Sequence, residues 1–81
     1  MKIRILLFAA ARDIFGNDFV DLELPDNVTI KEVKQSLVQH SPASAELVAR
    51  SAFSINQEFA IDESPVTSDA ELALIPPVSG G

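Results

Sequence analysis

Few residue types in this chain can do covalent chemistry, and their placement narrows the chemistry to one end. The 81 residues contain no cysteine and a single histidine, His40. A chain without thiols cannot supply a thiolate nucleophile, carry a persulfide or bind a metal through sulfur. One imidazole, with no His, Asp or Glu at ligand or relay spacing, supports neither a metal centre nor a catalytic triad, and phosphate-loop glycines are missing. His40 falls at the end of a helical segment just before Ser41-Pro42, where an imidazole meets the negative end of the helix dipole. Paired acids such as Asp62-Glu63 sit in turn-like sequence and read as solvated.

What remains is the carboxylate that closes Pro76-Pro77-Val78-Ser79-Gly80-Gly81. Two prolines end the preceding strand, because each fixes φ and removes a donor, and they stiffen the exit into extended backbone. Gly80 and Gly81 have no Cβ, so a main chain ending in them is thin enough to enter a tunnel that side chains would block. The competing reading is a frayed end, where glycines also collect, or an expression remnant.

The elements that must hold this tail follow from hydrophobic periodicity. Lys2–Phe8 alternates as a strand, with Ile3, Ile5 and Leu7 on one face and Lys2, Arg4, Leu6 and Phe8 on the other. Ala9–Phe15 reads as a short helical turn stopped by Gly16-Asn17. Phe19, Val20, Leu22 and Leu24 make a second strand, paired to the first as an antiparallel hairpin. Thr29 followed three residues later by Glu32 is a capping-box signature, although Asp26 or Asn27 can also take the cap. Ile30, Val33, Leu37 and Val38 then recur at helical spacing; Lys31, Lys34 and Gln35 read as solvated surface. Pro42 ends that helix, and Ser44 opens a second short one anchored by Leu47 and Val48. Phe53–Ile55 and Glu58–Ile61 flank Asn56-Gln57 as a tight hairpin, with Phe59 and Ile61 on the face opposite Phe53 and Ile55. Asp62–Asp69 reads as turns around Val66, and Glu71–Ile75 is the last strand, with Leu72 and Leu74 on one face and Ala73 and Ile75 on the other.

Composition bounds the class. Hydrophobic residues make up 47% of the chain, too many for a disordered tail, and without cysteine no disulfide scaffold is possible. A formal charge of −6 disfavours nucleic acid or an anionic membrane as partner. It suits docking on a basic groove, and it also serves plain solubility. The basic and apolar start, Lys2–Ala11, superficially resembles a signal peptide, but charges interleave with Ile3 and Ile5 and Arg12-Asp13 closes the run. No segment approaches the roughly 20 apolar residues of a membrane span, so the expectation is a cytoplasmic protein. One long helix after a hairpin is best laid across one face of a mixed sheet whose first and last strands are parallel neighbours. That layout is the β-grasp, ubiquitin-like fold of the α+β class, predicted over residues 1–75 with residues 76–81 as an extended, flexible tail. The face left uncovered carries Leu6, Phe8, Ala73 and Ile75, with Phe59 beside them, at the end from which the tail leaves. It reads as a docking surface or as ordinary exposed apolar residues.

Three stretches together resemble a known family. Lys2–Ala9 (KIRILLFA) with Arg12–Gly16 (RDIFG), Ser54–Phe59 (SINQEF) and above all Asp69–Gly81 (DAELALIPPVSGG) are similar to the small subunit of molybdopterin synthase. The resemblance runs nearly end to end, with the middle helices least distinctive. It implies a ubiquitin-like sulfur carrier of molybdenum cofactor biosynthesis. In such carriers the terminal glycine, here Gly81 preceded by Gly80, is adenylated by a ubiquitin-activating-type adenylyltransferase using ATP and converted to a thiocarboxylate. The thiocarboxylate then gives its sulfur to cyclic pyranopterin monophosphate in the large subunit, within a heterotetramer. The carrier itself holds no cofactor and supplies no catalytic side chain. By position, Phe8, Phe59, Ile75, Pro76, Pro77, Val78 and Ser79 match the partner interface; Ser79 stands where relatives carry Thr. The rivals are a carrier of the thiamine-pathway type, a ubiquitin-like modifier conjugated through Gly81, and a binding module with an inert tail.

Overall fold

The computed structural model describes residues 1–77; the expectations for Val78, Ser79, Gly80 and Gly81 lie outside the described residues. Strand β1 (Lys2–Leu7) buries Ile3, Ile5 and Leu7 and leaves Lys2 and Arg4 exposed, as its alternation requires. It pairs antiparallel with β2 (Phe19–Glu23), placing Ile5 opposite Val20 and Leu6 opposite Phe19. Between them lies the short helix α1 (Ala10–Phe15). It ends at Gly16, whose φ of 72° is the left-handed C-cap and whose N–H donates to the Arg12 carbonyl at 2.7 Å.

Thr29 is the cap of helix α2 (Ile30–His40), its backbone N–H donating to the Glu32 carboxylate at 3.2 Å. Ile30, Val33 and Leu37 are fully buried on the sheet. Val38, the fourth residue of the expected stripe, is only half-buried, because it faces the groove between α2 and the next helix. Lys34 is not free surface either. Its Nζ lies 2.6 Å from the Asp62 carboxylate and ties α2 to the loop that carries Asp62. A 3-10 turn at Pro42–Ser44 leads into helix α3 (Ala45–Arg50). Ser44 does not cap α3 through its side chain. It is fully buried, and its hydroxyl donates backward to the Ser41 carbonyl at 2.7 Å.

Strands β4 (Ala52–Ile55) and β5 (Glu58–Ala60) form the second hairpin, with Ile55 opposite Glu58. Asn56 (φ 51°) and Gln57 (φ 72°) both turn through left-handed backbone, the pattern of a two-residue hairpin loop. Strand β7 (Leu72–Ile75) runs parallel to β1 and antiparallel to β4, giving one sheet in the order β2-β1-β7-β4-β5. Val66 was expected among turns. Instead Pro65–Val66 (β6) pairs with Val28–Thr29 (β3) in a two-stranded sheet that closes the bottom of the core. Two-residue strands carry no alternation, so this pairing has no signature in the sequence. The helices lie on one face of the mixed sheet, and the core is the layer between them: the β-grasp arrangement. Among the described residues no helix is long and apolar enough to cross a membrane.

Candidate functional site: the uncovered sheet face and the exit of the tail

The strand register decides which side chains share the face opposite the helices. Leu6 lies between Phe19 and Ala73, Ala73 between Leu6 and Ser54, and Ser54 between Ala73 and Phe59. One row of side chains therefore crosses all five strands in the order Phe19, Leu6, Ala73, Ser54, Phe59. The residues are large at the flanks and small at the centre, so the row is a trough with Ala73 and Ser54 as its floor. A cavity of 390 Å³ occupies it, with Leu6 and Phe8 on one wall, Phe59 on the other, Gln57 and Glu71 at one end and Ile75 at the other.

Those residues of the expected interface that lie within residues 1–77, Phe8, Phe59, Ile75, Pro76 and Pro77, line this surface. Phe8 is 48% and Phe59 78% exposed, Ile75 and Pro76 are half-buried, and Pro77 is exposed. Phe8 follows the last residue of β1, where the chain turns at Ala9 (φ 50°, ψ −124°) into α1 and leaves the ring at the corner of the sheet. A second cavity of 660 Å³, lined by Phe8, Ala9, Ala10, Asp13, Ile75, Pro76 and Pro77, opens beside that corner. Phe8 and Ile75 line both cavities, so one apolar surface runs from the trough to the exit of the chain at Pro77. Neither short helix covers it. Exposed aromatic surface of this kind makes the face a candidate interaction site.

The other end of the same face is polar. Arg4 holds Asp21 with two hydrogen bonds, 2.9 and 3.1 Å, while its guanidinium stacks 3.9 Å from the centre of the Phe19 ring. The hydrogen bond from Arg4 holds the Asp21 carboxyl below the usual carboxylate range, with the charges of Arg4 and, 3.9 Å away, Lys2 adding to it. Glu71 is fixed through its backbone: its N–H donates to the Asn56 side-chain oxygen at 2.9 Å, and its carbonyl accepts the Asn56 N–H at 2.8 Å. Glu71, Gln57, Ser54 and Phe19 were not singled out from the sequence as site residues. The signal was available for Ser54, which alternation places on the face opposite Phe53 and Ile55.

Residues 5–81 match the ThiS family. The molybdopterin synthase sulfur carrier subunit of Arabidopsis thaliana is 35% identical over 81 residues, covering 100% of this chain and 84% of that protein. The subunit of the same name from Haemophilus influenzae is 33% identical, covering 98% and 99%. Among solved structures, SAMP1 of Haloferax volcanii, a small archaeal modifier protein, superposes over 100% of both chains with a TM-score of 0.89 and 27% identity. A complex of subunits 1 and 2 of molybdopterin-converting factor from Helicobacter pylori contains a chain of the same fold, with a TM-score of 0.70 at 20% identity over 100% of both chains.

Proposed function

The chain belongs to the ThiS family, and on that premise we propose that it is the sulfur carrier subunit of a molybdopterin synthase. The observation that carries this reading is full-length similarity to proteins of that name, reaching 35% identity. The apolar face beside the exit of the chain supports it.

The chemistry follows from a chain whose reactive group is a carboxylate. A carboxylate is a poor electrophile. A partner adenylyltransferase joins the Gly81 carboxylate to the AMP portion of ATP and releases pyrophosphate. Hydrosulfide, the sulfur donor in this step, then attacks the acyl carbon, a C–S bond forms, AMP leaves with the electron pair of the broken C–O bond, and the S–H proton is lost. The resulting thiocarboxylate is a good sulfur nucleophile at neutral pH. The large subunit receives the tail and supplies the acids, bases and phosphate-binding groups; two loaded tails each give one sulfur to cyclic pyranopterin monophosphate to build the dithiolene, and water returns each acyl group to the carboxylate. Gly80 and Gly81 let two different active sites admit one tip. Phe8, Phe59, Ile75, Pro76, Pro77, Val78 and Ser79 form the docking surface and the lead into the tail.

Intact mass after incubation with the activating enzyme, ATP and a sulfur donor tests the reading. Exchange of one oxygen for sulfur, lost on deletion of Gly81, is expected; an unchanged mass with a competent enzyme refutes it. A second reading, conjugation to proteins through Gly81, is favoured by the likeness to a small archaeal modifier protein at a TM-score of 0.89. It predicts a ladder of conjugates on denaturing gels, which a pure carrier does not give.

A further inference from the structure

The trough has a chemistry of its own. Its floor is Ala73 and Ser54, and its open wall is the ring of Phe59, 78% exposed. Its far end carries the Glu71 carboxylate, on a backbone that Asn56 clamps from both sides. Among the described residues no cation of this chain pairs with Glu71 or stacks on Phe59. On the adjacent strand, where the register of Ile5 with Leu72 sets Arg4 level with Glu71, the fold shows what such a combination binds. Phe19 and Asp21 hold Arg4 between them, ring beneath the guanidinium and carboxylate at its fork.

We propose that the trough takes one arginine side chain of the large subunit, its stem lying on Ala73 and Ser54 against Phe59 and its guanidinium paired with Glu71. The inference rests on the reading of this chain as a carrier that docks on a large subunit. The dimensions agree. Ala73 and Glu71 are two residues apart on one strand, about 6.6 Å at ~3.3 Å per residue, a span that an extended arginine side chain covers. Arginine suits the site better than lysine because its guanidinium is weakly hydrated, stacks on aromatic rings and meets a carboxylate with two parallel hydrogen bonds. A fully apolar plug would leave the Glu71 carboxylate desolvated without a partner. The arginine backbone then lies toward Phe8 and Ile75, on the side where the tail leaves, so one partner engages both.

Titration calorimetry of the full-length chain against the molybdopterin synthase large subunit of the same organism tests this, at low and high salt. Glu71→Gln, an exposed position that leaves the fold unchanged, is expected to weaken binding about ten- to hundredfold, in keeping with loss of a charge-assisted hydrogen bond. It is also expected to flatten the salt dependence seen with the unmodified chain. Glu71→Asp retains most of that salt dependence, and Glu71→Arg loses more affinity than Glu71→Gln. If Glu71→Gln binds within twofold of the unmodified chain while Phe8→Ala weakens binding, docking stands and the arginine inference is overturned. If the unmodified chain does not bind the large subunit, the carrier reading fails for this partner, and the inference with it.

Discussion

Two phenylalanines on one hairpin allow folding and the proposed docking to be tested apart. Phe53 on β4 is 1% exposed in the core, whereas Phe59 on β5 is 78% exposed on the opposite face. A phenylalanine buries on the order of 200 Å² when fully enclosed. Phe59 therefore keeps about 40 Å² from water in the free chain, roughly 1 kcal/mol at ~25 cal/mol per Å². Docking that encloses the ring removes a further ~160 Å², at most about 4 kcal/mol, and ordering the side chain takes back ~0.5–1.5 kcal/mol of it. Phe59→Ala is thus expected to lower stability by about 1 kcal/mol or less, and to weaken large-subunit binding by roughly 2–3 kcal/mol, about 30- to 150-fold. Phe53→Ala should do the opposite, costing about 3–5 kcal/mol of stability through the cavity it leaves. Urea denaturation and titration calorimetry on the two variants decide the matter. Binding of Phe59→Ala at the unmodified affinity, or a loss of stability comparable to that of Phe53→Ala, would refute the assignment of faces on which the site rests.

Other perturbations follow from the same geometry. Gln57 has φ 72°, so Gln57→Gly relieves about 1–2 kcal/mol of left-handed strain against ~0.4–1 kcal/mol of added freedom in the unfolded chain. A net gain of about 0.5–1 kcal/mol in urea denaturation is expected from these terms. The Asp21 carboxyl is held below its ordinary range by Arg4, so the folded state binds its proton less readily than the unfolded chain. Its stabilising contribution is present above about pH 4 and is lost as pH falls through the lower, folded value; Asp21→Asn should flatten the acid limb of a pH titration of stability. Lys34→Met breaks the 2.6 Å pair with Asp62 and should cost under about 1 kcal/mol at low salt and nothing measurable in 1 M salt.

The fold was legible where the chain repeats a period. Ile3, Ile5 and Leu7 against Lys2 and Arg4 state which face of β1 is covered, and Thr29 with Glu32 states where α2 begins. Phe59 opposite Phe53 follows from a two-residue loop at Asn56-Gln57, and with it half of the candidate site. What escaped depends on contacts between distant segments. The pairing of Val66 with Val28, the bond of Lys34 to Asp62 and the burial of Ser44 each join residues whose local sequence reads as turn or surface. Glu71 was likewise assigned to a strand as one more charge. Alternation with Ala73 and Ile75 already puts its side chain on the outer face, and the register beside Asn56 adds that it stands at the end of an apolar trough.

Chain geometry sets a last constraint. From Ile75 to Gly81 is six residues, which fully extended span at most about 22 Å at ~3.3–3.6 Å each. Any enzyme that works on the Gly81 carboxylate must therefore bring its active site within that distance of the corner formed by Phe8 and Ile75. Both cavities meet at those two side chains. If the proposed activating enzyme and the proposed large subunit both dock on that corner, each excludes the other. The carrier must then leave one before it meets the other, and the affinity of each complex is bounded by the need to dissociate. Saturating large subunit should accordingly suppress thiocarboxylate formation, with the inhibition relieved by excess activating enzyme and reduced when Phe8→Ala weakens the large-subunit complex more than the other. Thiocarboxylate formed at an undiminished rate within a stable carrier–large subunit complex would show that the two enzymes reach the tail from different sides, and that the trough serves only one of them.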